Sequence, residues 1–219
     1  MITLSDIRAR EDIKTYIEQA DASMEALGYT EHAFAHVGKV ADTAKYIMET
    51  MGYSDHDIEL VQIAAYLNDI GNLVNRSEHS QSGAVMAFRI LSAIGMPAKD
   101  VAIITSAIGN HVEGTGVAVN PVAAALIIAD KTDVRRSRVR NVNYTEFDIH
   151  DRVNYSVKQT KVLINNDKTE IRLIIEIDTT YSSIMDYFEI FLSRMTMCRK
   201  AAEKLGLIFK LEINGQQLL

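Results

Sequence analysis

The stretch Ala65-Tyr66-Leu67-Asn68-Asp69-Ile70-Gly71 combines an apolar helical segment with a carboxylate at its end. Residues 58–70 are apolar nearly all round, which is typical of a helix at the centre of a bundle. A buried carboxylate without a partner costs roughly several kcal/mol, because the charge loses its hydration. We therefore expect a cation beside Asp69, either a metal ion or an arginine.

The chain around this stretch has the same helical character. Apolar residues recur at helical spacing over residues 13–27 and 37–51, and residues 122–129 form a second, nearly uniform apolar stretch. Four glycines, each between two apolar residues, predict helix ends because glycine adopts the left-handed conformation without steric cost. These glycines are Gly28, Gly52, Gly95 and Gly206. Helix starts are predicted at Ser54, at Asn120-Pro121 and at Ser183.

The pattern changes after about residue 140. Apolar residues alternate with others over residues 171–177 and 207–213, which predicts strands. A polar turn at residues 165–168 predicts a further strand near residues 157–164, and a helix is predicted over residues 183–205.

The predicted fold class is therefore mainly α, with two domains. Residues 1–140 form a helical bundle, and residues 141–219 form a small α+β domain with the order strand-strand-helix-strand. One face of its sheet needs that helix or a second subunit as cover, so a homodimer through this domain is an expectation.

Composition excludes several classes of protein. A single cysteine, Cys198, excludes an intramolecular disulfide and favours a reducing compartment. A hydrophobic content of 47% and a charged content of 24% are typical of a globular protein. The apolar runs are far shorter than the ~20 residues that a bilayer requires, so we expect a cytoplasmic protein without a membrane partner. The net charge of −6 argues against nucleic acid as a bulk partner.

Histidines and carboxylates stand out in the helical part of the chain. His36 opens a predicted helix, His79 and His111 come on later helical stretches, and Asp130 ends an apolar run much as Asp69 does. A lone helical histidine is more often structural than a ligand. Imidazoles and carboxylates on separate helices, however, are how a bundle builds a metal site in its core.

These residues resemble the HD superfamily of metal-dependent phosphohydrolases, helical proteins named for a histidine-aspartate doublet. The segment His36-Val37-Gly38-Lys39-Val40 is similar to the surroundings of the family's first histidine, and residues 67–71 match the doublet region. The later motifs are matched, in order, by His79 with Gly83, by residues 110–116 and by residues 128–131. The resemblance covers about residues 30 to 138 and implies an HD-type bundle.

The resemblance also implies two metal positions that share one carboxylate. The implied ligand sets are His36, Asp69 and Asp130 for one ion, and Asp69, His79 and His111 for the other. Asn68 replaces the histidine of the doublet and Val112 replaces a second histidine after His111, so each position keeps three protein ligands. The mixed nitrogen and oxygen donors suit one or two divalent transition metal ions, namely manganese, iron or zinc, with magnesium as a further candidate.

Basic residues after the last carboxylate form a candidate phosphate site. Residues 135–140 carry four arginines just after Asp130-Lys131, and a guanidinium group matches phosphate as a bidentate fork. The alternative is a solvated connector between the two domains. The candidate substrate-binding residues are Asn72, Lys131, Arg135 and Arg138, and Arg76 is a candidate by its position alone.

Three further histidines are expected to lie outside the site. His150-Asp151 is a histidine-aspartate dipeptide without an apolar helix before it, so we interpret it as incidental. His32 and His56 are predicted to be surface residues.

Two functions remain open. The first is a metal-dependent phosphohydrolase that acts on a small phosphoester, such as a nucleotide or a phosphorylated metabolite. In this interpretation the metal polarises a phosphoryl oxygen and activates water, and Asp69 is the catalytic residue that holds the metal and orients that water. The second is a weak or inactive HD-fold module that binds a nucleotide or a metal, with the C-terminal domain for dimerisation or output. Asn68 and Val112 favour the second.

Overall fold

The computed structural model describes residues 2–141 and 143–219. The part before residue 140 is helical, which confirms the predicted bundle. Its helices are α1 (Leu4–Arg8), α2 (Glu11–Ala26), α3 (Phe34–Met51), α4 (Asp55–Leu67), α5 (His79–Ala93), α6 (Ala98–Gly109) and α7 (Pro121–Lys131). Short 3-10 turns at Ile70–Leu73 and Arg136–Arg138 follow α4 and α7.

The remaining chain forms a small α+β unit. Its elements are α8 (Ile149–Ser156), β1 (Val157–Ile164), β2 (Glu170–Ile177), α9 (Ile184–Lys204), β3 (Ile208–Ile213) and β4 (Gln216–Gln217). The sheet order is β1-β2-β3-β4, in which β2 and β3 are parallel and the outer pairs are antiparallel. The predicted strand-strand-helix-strand order is confirmed. The short elements α8 and β4 were not predicted, because a two-residue strand shows no alternation and α8 is largely polar.

The predicted helix ends are confirmed. Gly52 ends α3 with a φ of 83°, and the Tyr53 N–H donates to the Met48 carbonyl oxygen at 3.0 Å. Left-handed glycines also follow α2, α5 and α9. At the start of α9, the Ser183 hydroxyl accepts from the Asp186 N–H, and the Asp186 carboxylate accepts from the Ser183 N–H in return.

One apolar core runs through both parts of the chain. The central helices are α4 and α7, and every residue of α7 after Pro121 is buried. Helix α9 packs against α7 on one side and against β3 on the other, so it covers the sheet within the same chain. The division into two domains near residue 140 stays a prediction. Among the described residues, no helix combines the length and the apolar character needed to cross a bilayer.

A close backbone contact positions the end of α4. Gly71 lies against the start of α5, where a Cβ atom would overlap the carbonyl oxygen of His79 and the amide nitrogen of Gly83. Only glycine permits this approach. The contact brings Asp69, just before the turn, beside His79, the first residue of α5.

Candidate metal centre

The structure brings the five candidate ligands together in the bundle core. His36 lies in the first turn of α3, Asp69 follows α4, and His79 begins α5. His111 follows α6, and Asp130 lies in the last turn of α7. No side chain of the five is more than one-tenth exposed. The cluster therefore depends on the packing of five successive elements.

The five side chains form two groups that could each hold a metal ion. We call Asp69, His79 and His111 the His79 set, and His36, Asp69 and Asp130 the His36 set. The Asp69 carboxylate lies between them: its Oδ2 is 3.4 Å from His36 Nε2, whereas its Oδ1 is 3.5 Å from His79 Nε2 and 3.9 Å from His111 Nε2. His36 Nε2 is also 3.2 Å from Asp130 Oδ1. Each oxygen of Asp69 thus faces one set.

The Nδ1 atom of each ring has its own partner. His79 Nδ1 donates to the Arg76 carbonyl oxygen at 2.9 Å, and His111 Nδ1 donates to the Ile108 carbonyl oxygen at 2.6 Å. His36 Nδ1 lies 2.8 Å from Asp133 Oδ2. Outer partners of this kind fix the orientation of metal-binding histidines and leave Nε2 for the ion.

His36 Nε2 tests whether a metal ion fits. This buried atom makes no hydrogen bond with any described residue, although two carboxylate oxygens lie nearby. A divalent cation at this point would satisfy the nitrogen and both carboxylates at once. The donor set and the outer partners therefore fit a divalent metal ion.

The histidines of the two sets have opposite pKa shifts. Burial lowers the pKa of His111 to about 4 and also lowers that of His79. Burial and the Arg138 charge lower the pKa of His36 too, but the surrounding carboxylates outweigh both and raise it to about 10. Burial raises the pKa of Asp69, and contact with His36 outweighs burial and holds that pKa well below its ordinary value. The His79 set thus has neutral rings, whereas the His36 set has a charged one.

Two neighbouring cavities lie beside the cluster and share part of their lining. The inner cavity, of about 20 Å³, has the size of one water molecule and is lined by metal-ligand candidates on one side. An outer cavity of about 370 Å³ shares four of its lining residues. The shared residues are His32, Arg76, Arg138 and Arg194. Lys131 also lines the inner cavity. We call the two cavities together the passage, and its side chains next to the cluster include three arginines and this lysine.

The predicted substrate residues divide between this passage and other places. Lys131 and Arg138 line the inner cavity. Asn72 is buried, and its side chain donates to the Asp69 carbonyl oxygen at 3.0 Å, which is a structural contact. Arg135 lines a different cavity, because its backbone is extended and its Nε donates to Asp133 Oδ1 at 2.8 Å.

The arginine run is therefore mainly a connector. Arg136 stacks on the Tyr155 ring at 4.4 Å, and Arg140 pairs with Asp21. Of the four guanidinium groups expected in a phosphate clamp, the structure brings only that of Arg138 to the passage. The others fasten residues 135–140 to neighbouring elements.

Several residues lie at the passage although the sequence did not place them there. His32, predicted at the surface, is half-buried and lines both cavities. His150 and Asp151, interpreted as incidental, line the outer cavity. Arg194 comes from α9, where a single arginine on an amphipathic helix gives no local signal. His56, by contrast, is hydrogen-bonded to Asp100 at 3.0 Å and lines neither cavity.

The position of the missing doublet histidine is unusual. Asn68 is fully buried, and neither its side-chain oxygen nor its nitrogen has a hydrogen-bond partner among the described residues. Leaving such a group unsatisfied costs about 1–3 kcal/mol. The Asn68 side chain therefore replaces the histidine of the doublet without forming a hydrogen bond with the described residues.

The chain is similar to known proteins in three comparisons. Over 202 residues the chain is 24% identical to an uncharacterized protein of Methanocaldococcus jannaschii, covering 81% of this chain and 75% of that protein. A crystal structure of a predicted HD superfamily hydrolase from an uncultured Thermotogales bacterium superposes with a TM-score of 0.46 and 23% identity, covering 61% of this chain and 75% of that one. Residues 33–135, which contain all five candidate ligands, match the HD domain family. The candidate metal centre thus lies within the part of the chain that is similar to the HD domain family.

Proposed function

We propose that this protein is a metal-dependent phosphohydrolase that acts on a small phosphate monoester, such as a nucleotide or a phosphorylated metabolite. One observation carries the proposal: two candidate metal sets share Asp69 and open into a cavity lined by arginines and a lysine. Metal-ligand candidates and phosphate-binding cations thus face the same small space. This combination suits hydrolysis of a phosphate ester better than it suits simple storage of a metal ion.

The ligands of the two sets would hold one or two divalent ions. Each set offers three protein donors, which leaves coordination positions open as catalytic sites require. Nitrogen and carboxylate donors suit manganese, iron or zinc, and magnesium is a further candidate. A divalent ion held there supplies charge that polarises a phosphoryl oxygen and makes water easier to deprotonate near neutral pH.

The side chains around the ligands bind and orient the substrate. Arg76, Lys131 and Arg138 supply positive charge for the phosphate group, and Asp69 orients the attacking water from between the two sets. Burial of the cluster excludes bulk water and strengthens these interactions. A cavity of about 370 Å³ is at the small end of ligand pockets, so we propose a metabolite as the substrate.

Asn68 favours a second candidate function. With an unsatisfied amide in place of the doublet histidine, the same site would bind a metal or a nucleotide without turnover. The C-terminal part would then serve dimerisation or output. The homodimer stays a prediction, which sedimentation at two protein concentrations tests.

Metal content followed by a substrate panel distinguishes the two functions. Untagged protein is analysed for bound metal, then assayed for phosphate release from p-nitrophenyl phosphate, nucleotides and sugar phosphates with manganese, iron or magnesium. Release that disappears in Asp69→Asn supports the hydrolase. A protein that binds metal but stays inert, also as Asn68→His, contradicts the hydrolase and favours the binding module.

A further inference from the structure

Helix α9 places one side chain in the candidate metal centre from outside the HD domain. Arg194 lies 59 residues beyond the end of the HD match at residue 135 (194 − 135 = 59), yet it lines both the inner and the outer cavity. The side chain is about one-quarter exposed, and its guanidinium carbon stacks 4.4 Å from the centre of the Phe191 ring. Because α9 packs on α7, which carries Asp130, this arginine arrives next to the ligands.

A chain of alternating charges holds Arg194 in place. Its Nε forms an ion pair with Glu113 Oε1 at 2.8 Å, and the other oxygen of Glu113 lies 3.3 Å from Lys131 Nζ. Lys131 Nζ is in turn 2.7 Å from Asp130 Oδ2. Burial raises the pKa of Glu113, but the two cations outweigh burial and lower it. The orientation of Arg194 is thus coupled to the candidate metal ligand Asp130 through three ion pairs.

The end of the guanidinium group remains available. Nη1 and Nη2 of Arg194 have no hydrogen bond or ion pair with any residue in the described ranges, whereas Nε is occupied by Glu113. A guanidinium group that is oriented by one nitrogen and presents two free donors is suited to bind phosphate oxygens. Lys131 and Arg138 line the same inner cavity as Arg194, so three cationic side chains lie around the carboxylates of Asp69 and Asp130, where the phosphate of a substrate would meet the metal ligands.

We infer that Arg194 binds the phosphate group of the substrate, and that α9 thereby completes a site which the HD domain alone leaves without this cation. The inference rests on the proposed function and extends it to the C-terminal part of the chain. Glu113 is a positioning residue, because it acts on phosphate only through Arg194 and Lys131.

Equilibrium binding of inorganic phosphate tests the inference. The full chain, loaded with manganese, is titrated with phosphate by calorimetry, and the metal content of every variant is measured. We expect Arg194→Gln to weaken phosphate binding about tenfold or more, equivalent to about 1.4 kcal/mol. Arg194→Lys should have an intermediate effect because it keeps the charge but loses the fork. The matched control is Arg199→Gln, which alters an exposed arginine of the same helix and should bind phosphate like the wild type.

The outcomes separate this inference from the proposed function. Arg194→Gln with unchanged phosphate binding and unchanged metal content overturns the inference. Should that variant fail to fold by circular dichroism, Arg194→Lys carries the same test, and an unchanged dissociation constant again overturns it. If the wild type hydrolyses p-nitrophenyl phosphate and both Arg194 variants do so with the same KM, the role of Arg194 is refuted but the proposed function is not. If the metal-loaded wild type neither binds inorganic phosphate nor releases phosphate from a substrate, both the role of Arg194 and the proposed function are refuted.

Discussion

The two candidate metal sets share one aspartate but prepare their histidines differently. In the His79 set, both Nδ1 atoms donate to backbone carbonyl oxygens and both rings have lowered pKa values. In the His36 set, Nδ1 contacts the Asp133 carboxylate and the ring has a pKa of about 10. The difference teaches that burial keeps an imidazole neutral unless several carboxylates surround it, as those of Asp130, Asp133 and Asp69 surround His36.

The raised pKa of His36 means that a proton competes with a metal ion for this set. Three carboxylates, those of Asp69, Asp130 and Asp133, surround this ring within 3.4 Å, and a cation must compensate them. Metal binding at the His36 set therefore requires release of that proton, because a ligand nitrogen must be deprotonated. The His79 set has no such requirement at neutral pH. The predictions below test this contrast.

The largest effect is expected from Asp69→Asn. Because each carboxylate oxygen of Asp69 faces one set, the variant should lose metal from both sets and lose phosphate release entirely. Elemental analysis after dialysis measures the metal, and Asp42→Asn, an exposed acid on α3, is the matched control. One equivalent of metal retained at wild-type affinity would show that a set does not depend on the shared carboxylate.

Removing one histidine should empty one set only. His36→Gln leaves the His79 set intact, and His111→Gln leaves the His36 set intact, so each variant should bind one ion fewer than the wild type. Loss of even an outer partner costs about 10- to 100-fold in affinity, so loss of a direct ligand should cost at least that. Titration with manganese gives the stoichiometry, with His56→Gln as control. Loss of both ions from either variant would contradict two separable sets.

A smaller effect is expected from Asp133→Asn. The variant keeps the shape of the side chain but removes the charge behind His36 Nδ1, so affinity at the His36 set should fall about 10- to 100-fold. The His79 set has backbone partners instead and should keep its affinity. Manganese titrations of Asp133→Asn and of His36→Gln, carried out side by side, measure the metal affinities of the two sets. Equal weakening of the two sets would mean that Asp133 supports the fold rather than one ligand.

The smallest expected effect is a dependence of metal affinity on pH. Since the pKa of His36 is raised to about 10, protons compete with metal at the His36 set throughout the neutral range. Its apparent affinity should rise about tenfold for each unit of pH up to that value. The pKa values of His79 and His111 are lowered, so affinity at the His79 set should be nearly constant above pH 7. Calorimetry in buffers of different protonation enthalpy measures the released proton, and equal proton release at both sets would contradict the contrast.

The helical fold and the ligand cluster could be predicted because both depend on local patterns. Apolar spacing and glycine ends define helices such as α3 and α4, and the resemblance to HD proteins supplied the order of the five ligands. The structure brings those five side chains together. The orientation of each ring could not be predicted, because the partners of Nδ1, such as the Ile108 carbonyl oxygen, appear only in the folded backbone.

The cationic passage could be predicted only in part. Lys131 and Arg138 follow Asp130 closely in the chain, and their proximity to it is a local property. Arg135 lies just as close in the chain but faces elsewhere, since extended backbone and Asp133 redirect it. Arg194 reaches the passage only because α9 packs on α7, a contact between distant parts of the chain that no local pattern encodes.

The path of α9 also ties the cationic passage to the small sheet. Helix α9 is the crossover between the parallel strands β2 and β3 and packs on α7, so the register of that strand pairing and the contact with α7 together fix its position. A change in the sheet can therefore reach the passage through Arg194 without touching any of the five candidate ligands.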